Sequence, residues 1–283
     1  MIEYAYYNGV FTPYNATCIP LTDRSVFFSD AVYDVVIGSR KKPYQLDEHL
    51  NRLFGNAHRI DIKKLPSKSH VEETITTLLG EADADDFLLY IQLSTNSMQR
   101  SHAREDGEPN LLITVTKCDL PKELGSIRAI TLPDIRHGYC NVKTTNLLPA
   151  VLSIEEARRH NADIAIFHKN RAVTECSHAN ISIIKDGKLV THPLDSDILP
   201  GITQINLERA AKNLGIAHES RVFSIDELYE AEAVMITSTT KLIKVCTAID
   251  SIPLNVSAIH TVEQLFEALK SDLYSEVRQN TLF

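Results

Sequence analysis

The sequence lacks the cysteine patterns that hold metal ions or staple small secreted folds. Its five cysteines are odd in number and none are spaced as in a CxxC motif: Cys18, Cys118, Cys140, Cys176 and Cys246. Structural zinc sites use closely spaced ligand pairs, and a disulfide framework uses an even set of cysteines. We therefore expect no metal site and no disulfide framework. Reduced thiols of this kind are typical of a cytoplasmic protein.

Long apolar runs and basic stripes are also missing. No run approaches the roughly 20 apolar residues that span a bilayer. The opening segment MIEYAYYNGVF lacks the charged and then apolar stretches of a signal peptide. The net charge is −8, with acidic and basic residues interleaved, so there is no basic stripe of the kind that binds nucleic acid. We expect a cytoplasmic protein that acts on small metabolites and binds neither membrane nor nucleic acid.

What is present is an ordinary globular composition, with 43% hydrophobic and 23% charged residues over 283 positions. Helices and strands are mixed in both halves, which predicts an α/β (α+β) fold with two domains and a cleft between them. The segment DLPKELGS is short and polar, and it contains Pro and Gly. We expect a small N-terminal domain at 1–118, a linker at 119–126 and a large C-terminal domain at 127–283.

Local patterns predict most of the individual elements. Helices are expected where apolar residues follow helical spacing or capping residues occur: Leu46–Ile60 with Asp47 as cap, a helix opened by Ser69 and Glu72, Leu148–His160, Thr203–Leu214, one capped by Ser224 and Glu227, and one opened by Thr261 and Gln264. Strands are expected at Val32–Ile37, Phe87–Ser94, Asn110–Lys117, Asp163–His168 and Ala233–Ile236, with hairpins at Asn8-Gly9 and across Asp186-Gly187. The polar segment 96–109 is too long for a tight hairpin, and such loops often carry function.

Two ionisable residues stand in settings that favour chemistry. Lys143 lies in YCNVKTTNLL, where apolar and hydroxyl residues surround it. A lysine in a dry pocket loses its proton readily and can form a Schiff base with an aldehyde. Glu175, in RAVTECSHANIS, can hold a pyridine nitrogen protonated. Taken alone, each residue is more commonly structural: a solvated surface lysine and a carboxylate at a strand end.

Other residues offer hydrogen-bond donors or positive charges that can bind an anion. A helix opens at Gly201-Ile202-Thr203, and backbone N–H groups at a helix start suit a phosphate, although a simple N-cap is the commoner use. Hydroxyls cluster at Ser238-Thr239-Thr240, and Arg52 adds a cation. Arg100 and His102 lie in the long loop, where a guanidinium and an imidazole together suit a carboxylate, and Tyr33 can add a hydroxyl.

Taken together and in order, these segments resemble the class IV (fold-type IV) aminotransferases. The similarity covers SDAVYDVV, LDEHLNRL, NVKTTNLL, VTECSHANIS, LPGIT and ITSTT. The resemblance implies two α/β domains with pyridoxal 5′-phosphate (PLP) in the interdomain cleft. It also implies a homodimer, because a loop from one subunit closes the site of the other.

The resemblance also implies residue roles. Lys143 is the catalytic lysine that binds PLP, and Glu175 binds the pyridine nitrogen. The phosphate is held by the helix arginine, the GIT turn and the hydroxyl pair, which correspond to Arg52, Ile202, Thr203, Ser238 and Thr239. The loop pair Arg100 and His102, with Tyr33, matches the carboxylate trap of the D-amino acid aminotransferases. In branched-chain enzymes a turn like Thr239-Thr240 serves instead.

The implied reaction is ping-pong transamination of D-amino acids, with D-alanine and 2-oxoglutarate as the expected pair. Three alternatives stay open: a branched-chain L-amino acid aminotransferase, an aminodeoxychorismate lyase and a non-catalytic dimeric scaffold. The chain departs from the family pattern at three places. SDAVYD replaces GDGVYE, Thr95-Asn96 replaces Arg-Gly, and VTECSHAN replaces VTEGSSSN, which puts Cys176 in place of a glycine and His178 in place of a serine.

Overall fold

The structure is a computed structural model that describes residues 3–82 and 85–278. The chain forms two compact units. The first contains the residues up to Leu120, the segment Val142–Asn146 and the residues from Tyr274 onwards. The second contains Pro121–Asn141 and Leu147–Leu273.

The first unit is built on a six-stranded sheet in the order β2-β1-β6-β5-β3-β4. Its elements are β1 (Tyr4–Tyr7), β2 (Val10–Pro13), α1 (Arg24–Phe28), β3 (Ala31–Ser39), β4 (Lys42–Pro43), α2 (Leu46–Arg59), α3 (Lys68–Glu81), β5 (Asp86–Ser94) and β6 (Asn110–Lys117). Along the central strands, successive side chains point to opposite faces of the sheet. The apolar side chains of one face, such as Val32, Leu89 and Ile113, form the core with α2 and α3. The other face of β3 and β5 carries Tyr33, Tyr90 and Gln92, with β3 and β5 paired antiparallel.

The predicted α2 is confirmed, and Leu50, Leu53 and Ala57 are buried as its spacing requires. The prediction of Asp47 as its cap is wrong. The chain enters α2 through Gln45 in a left-handed conformation, and Gln45 donates its backbone N–H to Glu276, so Asp47 lies inside the first turn.

The predicted capping pair for α3 is also wrong. Ser67 is the N-cap, and its hydroxyl accepts a hydrogen bond from the backbone of His70. The helix therefore begins at Lys68, before Ser69, because Ser67 offers an equally good capping oxygen earlier in the chain.

The second unit is built on a nine-stranded sheet. Its elements are β7 (Gly125–Pro133), α4 (Leu148–Arg159), β8 (Ile164–Lys169), β9 (Ala172–Cys176), β10 (Asn180–Lys185), β11 (Lys188–Thr191), α5 (Ile202–Asn213), β12 (His218–Ser220), α6 (Ile225–Glu230), β13 (Ala233–Ser238), β14 (Leu242–Ile249), β15 (Ile252–Pro253) and α7 (Ile259–Arg278), whose last turn belongs to the first unit. The strand order is β12-β11-β10-β13-β14-β7-β8-β9, with β15 paired to β14. The capping box at Ser224 and Glu227 is present as predicted, and α7 begins at Ile259, two residues before the predicted Thr261.

The division of the chain differs from the expected domains at 1–118 and 127–283. Residues 142–146, with Lys143, belong to the first unit, because Thr144 pairs with Val32 and Val142 packs into the first core. Strand β7 begins at Gly125, inside the expected linker 119–126. The ends of the expected domains, residues 1–2 and 279–283, lie outside the described residues. Among residues 3–82 and 85–278, no helix is long and apolar enough to cross a membrane.

Candidate active site

Lys143 is held in the first unit by pairing with β3. Its carbonyl accepts a hydrogen bond from the backbone of Tyr33 at 3.0 Å, and Thr144 bridges Val32. The preceding Val142 is buried in the core, which anchors the segment. As a result, the Lys143 Nζ atom lies 4.5 Å from the centroid of the Tyr33 ring. The contact places an amine over the aromatic face.

The surroundings of Lys143 favour its neutral amine. Burial is the main cause that lowers the pKa of Lys143, and the positive charge of Arg52 lowers it further, while Asp34 acts in the opposite direction. The resulting pKa is about 8. An amine with such a pKa has a much larger neutral fraction near physiological pH than an ordinary lysine, and a nucleophile needs that neutral form.

Asp34 is the buried anion that orients Arg52. Its carboxylate accepts hydrogen bonds from Arg52 Nε and Nη2, each at 2.8 Å, and lies 2.7 Å from His49 Nδ1. Burial by itself would raise the pKa of Asp34, but the charge of Arg52 and the hydrogen bonds from His49 and Arg52 outweigh it and hold the pKa far below its usual range. Asp34 is therefore ionised, and it fixes the guanidinium on α2.

Tyr33 and Tyr90 form a stacked pair on the same face of the sheet, with ring centroids 5.3 Å apart. The hydroxyl of Tyr90 donates to Gln92 Oε1 at 2.6 Å. Burial raises the pKa of Tyr33 to about 12, helped by the nearby charge of Asp34. Tyr33 therefore carries a protonated hydroxyl, which can donate a hydrogen bond to a carboxylate.

Glu175 lies in the second unit at the end of β9 and is surrounded by donors. Its carboxylate is paired with Arg136 Nη1, and it accepts hydrogen bonds from the backbone of Leu199 at 3.0 Å and from Asn180 Nδ2 at 3.4 Å. These donors stabilise the negative charge of a carboxylate that is nearly buried. Arg136 is held in turn by Asp134, through Nε at 2.9 Å and Nη2 at 2.6 Å.

The start of α5 lies against Asn180. Gly201 precedes the helix, and no side chain caps it. A Cβ atom at Gly201 would lie 1.9 Å from Asn180 Oδ1, so any larger residue there would force Asn180 or the start of α5 to move. Asn180 is the cross-strand partner of Thr237 on β13, whose buried hydroxyl has no hydrogen-bond partner among the described residues.

The residues of the second unit that the sequence predicts to bind phosphate lie at the start of α5 and at the end of β13. Ile202 and Thr203 are buried in the first turn of α5. Ser238, Thr239 and Thr240 come directly after Thr237 and are half-buried. An uncapped helix start beside hydroxyl groups provides donors for an anion.

Arg100 and His102 meet on one aromatic ring. The Arg100 guanidinium lies 5.3 Å from the centroid of Phe28, and the His102 ring lies at the same centroid distance, edge to face. Both side chains are exposed. Within the described residues these side chains contact Phe27 and Phe28 and neither Tyr33 nor Lys143, while Arg24 donates to the backbone carbonyl of His102.

Sequence reasoning missed several residues that shape these clusters. Arg136 and Asp134 were not singled out, although a DxR pattern directly follows β7. His49 and Arg52 are three residues apart on α2, a spacing that puts both on one helix face. Cys176, noted as a departure, packs in the second core, where burial raises the pKa of its thiol.

Comparison with known proteins shows the family of the chain. The family model for amino-transferase class IV matches residues 31–249. The D-alanine aminotransferase of Listeria monocytogenes is 35% identical over 240 residues, covering 83% of each chain. That of Staphylococcus aureus is 29% identical over 258 residues, covering 90% of this chain and 92% of the relative.

This chain belongs to the class IV aminotransferases. Solved structures share the fold of this class IV aminotransferase at low identity. The branched-chain aminotransferase of Thermoproteus uzoniensis matches with a TM-score of 0.87 at 21% identity, over 97% of this chain and 96% of that one. A branched-chain amino acid aminotransferase from Escherichia coli matches with a TM-score of 0.87 at 20% identity, over 99% and 97%. The mixed α/β fold predicted from the sequence is thereby confirmed.

Membership implies PLP as the cofactor, and the groups present fit it. The first unit supplies an amine with a lowered pKa, a cation fixed by a buried carboxylate and a protonated phenol. The second supplies a nearly buried carboxylate, an uncapped helix start at a closely packed glycine, and a buried hydroxyl without a hydrogen-bond partner among the described residues. These groups match what PLP requires: an amine for its aldehyde, a carboxylate that accepts from its protonated pyridine nitrogen, and donors for its phosphate.

Proposed function

We propose that this class IV aminotransferase transaminates D-amino acids, with D-alanine as donor and 2-oxoglutarate as acceptor, by a ping-pong mechanism with PLP. The observation that carries the proposal is the meeting of Arg100 and His102 on Phe28. A guanidinium and an imidazole that share one platform suit a substrate carboxylate. The likeness to D-alanine aminotransferases, at 35% identity for the Listeria relative, supports the same direction.

We assign the following roles to the chain's own residues. Lys143 binds the cofactor and, as a neutral amine, accepts the proton from the substrate Cα atom. Glu175 holds the pyridine nitrogen protonated, and the pairing with Arg136 keeps the Glu175 carboxylate in place. The phosphate is bound by Arg52 and by donors of Ile202, Thr203, Ser238 and Thr239. When bound, PLP supplies an aldehyde for the substrate amine and a ring that stabilises negative charge at Cα.

The substrate carboxylate is the part of the substrate that Arg100 and His102 recognise. Tyr33 adds its protonated hydroxyl to that group, and Thr240 borders the substrate. Because these groups bind rather than react, their loss affects KM more than kcat. Cofactor affinity does not depend on them.

A homodimer completes the proposal. The N-terminal part of the first unit exposes large apolar side chains that a monomer gains nothing by presenting: Val10, Phe11, Tyr14, Val26 and Phe27. Phe27 lies 5.9 Å from the Arg100 guanidinium, so this apolar surface borders the substrate-binding loop. Sedimentation equilibrium is expected to give twice the chain mass of 31.7 kDa. A monomer with full activity would contradict the dimer.

The test of the reaction is a steady-state assay with chiral product analysis. The purified enzyme, reconstituted with PLP, receives 2-oxoglutarate with D-alanine, L-alanine or L-leucine in separate reactions, and aminodeoxychorismate without an acceptor in a fourth. Pyruvate and D-glutamate from the D-alanine reaction alone support the proposal. L-glutamate from L-leucine identifies a branched-chain enzyme instead, and pyruvate from aminodeoxychorismate without an acceptor identifies a lyase.

A further inference from the structure

We propose that Arg24 is a positioning residue that holds the loop formed by residues 98–104 in the conformation in which Arg100 and His102 bind the substrate carboxylate. The inference rests on the function proposed above. Arg24 touches neither substrate nor cofactor in this account, and its effect passes through the loop.

The contacts of Arg24 are concentrated on that loop. Its Nη1 donates to the carbonyl of Ser101 at 2.6 Å and to that of Ala103 at 3.5 Å, and its Nη2 donates to the carbonyl of His102 at 3.3 Å. Three successive carbonyls thus converge on one guanidinium, which is only 5% exposed. Because each of these peptide groups is fixed, the path of the backbone that carries His102 and follows Arg100 is fixed as well.

Asp30 ties the same arginine to the strand that carries Tyr33. Arg24 Nε donates to Asp30 Oδ2 at 2.8 Å, and Asp30 lies directly before β3. Arg104, at the far end of the loop, also binds Asp30, through Nε at 3.0 Å and through Nη2. The Asp30 carboxylate therefore connects Arg24 on α1 to Arg104 at the end of the loop.

The departure Thr95-Asn96 belongs to this arrangement. Thr95 Oγ1 donates to Asp30 Oδ2 at 3.0 Å. Asn96 Nδ2 donates to the carbonyl of Glu105 at 3.0 Å, and the Asn96 carbonyl accepts from the backbone of Arg24 at 3.3 Å. The two residues that replace Arg-Gly thus fix the start and the end of the loop in this chain.

Phe28 links Arg24 to the two carboxylate-binding side chains. The Arg24 guanidinium lies 4.6 Å from the Phe28 centroid, and Arg100 and His102 each lie 5.3 Å from it. A lysine in place of Arg24 keeps the charge, but it lacks the planar fork that reaches several acceptors at once. Arg24→Lys is therefore the variant that separates charge from geometry.

The experiment compares the PLP-loaded wild type with Arg24→Lys and Arg104→Ala, and uses Arg158→Ala as a matched control. Arg158 lies on α4 in an exposed pair with Glu155. Three quantities are measured: KM and kcat for D-alanine, the dissociation constant for PLP, and amide hydrogen exchange of residues 98–104. We expect Arg24→Lys to raise KM about tenfold or more, because small misplacements of binding groups weaken productive binding strongly.

In the same variant we expect faster exchange of the loop amides, with the PLP dissociation constant unchanged. Arg104→Ala is expected to change KM and exchange in the same direction by a smaller factor, and Arg158→Ala to change neither. An unchanged KM in both loop variants overturns the inference, as does a fall in kcat and PLP affinity that matches the rise in KM. If Arg24→Lys does not fold, the Arg104→Ala result decides.

Failure of the proposed function is distinguishable from failure of this inference. If the wild type transaminates L-amino acids and not D-alanine, the proposed function fails. Hydrogen exchange in the variants then still decides whether Arg24 holds the loop, and unchanged exchange overturns it.

Discussion

The guanidinium of Arg52 donates two hydrogen bonds to the carboxylate of Asp34, each 2.8 Å long. Asp34 is fully buried, and His49 and the backbone N–H of Val35 also contact its carboxylate. Arg52 and Asp34 act on Lys143 with opposite signs, since Arg52 lowers the pKa of Lys143 and Asp34 raises it. Asp34 therefore orients Arg52, the proposed phosphate-binding residue. The opposite charges of Asp34 and Arg52 together set the pKa of Lys143, the proposed catalytic amine.

Asp34→Asn is expected to lower the pKa of Lys143 below its value of about 8. Removal of the negative charge destabilises the protonated ammonium, so the neutral amine persists to lower pH. Only the neutral amine attacks an aldehyde, so the rate of PLP binding by the apoprotein rises with pH with a midpoint near that pKa. We expect the midpoint to move to lower pH in the variant, measured by stopped-flow absorbance.

The matched control for this variant is Asp47→Asn. Asp47 lies on the same helix as Arg52, but it is exposed and pairs with Lys68. It is expected to leave the midpoint unchanged. A midpoint that moves to higher pH in Asp34→Asn would show that the balance of charges at Lys143 is not as described.

Glu175→Gln is expected to slow transamination by on the order of 100-fold, because a preorganised charge is removed where the pyridine nitrogen is proposed to bind. The neutral amide cannot hold that nitrogen protonated, and Arg136 keeps only Asp134 as an ionic partner among the described residues. Glu175→Asp keeps the charge and is expected to recover part of the rate. Equal rates for Glu175→Gln and the wild type would remove Glu175 from the mechanism. The measurement is kcat with D-alanine at saturating PLP.

Gly201→Ala is expected to weaken PLP binding by on the order of tenfold, since overpacking costs about 1–3 kcal/mol. The new Cβ atom would lie 1.9 Å from Asn180 Oδ1, so either Asn180 or the start of α5 must move. In an Asn180→Ala background the same change is expected to have a smaller effect, because the clashing oxygen is gone. Equilibrium titration of the apoproteins with PLP gives the comparison.

Gly80→Ala provides the control for the glycine experiment. Gly80 lies in α3, and a Cβ atom there meets nothing within 4 Å. The change is expected to leave PLP affinity as it is and to stabilise the helix by up to about 1 kcal/mol. Equal losses of affinity in both glycine variants would mean that the helix start at Gly201 has no special role.

Local sequence signals predicted the elements whose formation depends on neighbouring residues. The capping box of Ser224 and Glu227 and the turn at Asp186-Gly187, where both residues have positive φ, are present as expected. The spacing of Leu50, Leu53 and Ala57 predicted the buried face of α2. Caps were less predictable where two serines competed, as Ser67 and Ser69 did before α3.

Long-range contacts were beyond such signals. Strands β7 and β14 pair in parallel although more than 100 residues separate them, and neither strand was predicted. Arg136 meets Glu175 across 39 positions, so neither residue signals the other locally. Lys143 was recognised through its family segment. Its assignment to the first unit follows from the pairing of Thr144 with Val32, a contact between distant parts of the chain.

The most direct test of the central claim is a single-turnover reaction of the PLP-loaded enzyme with D-alanine and, separately, with L-leucine. The visible absorption of the PLP form is followed in the absence of any keto acid. The account predicts that D-alanine abolishes this absorption and releases one pyruvate per site, while L-leucine leaves it unchanged. Loss of the absorption with L-leucine and not with D-alanine would contradict the account.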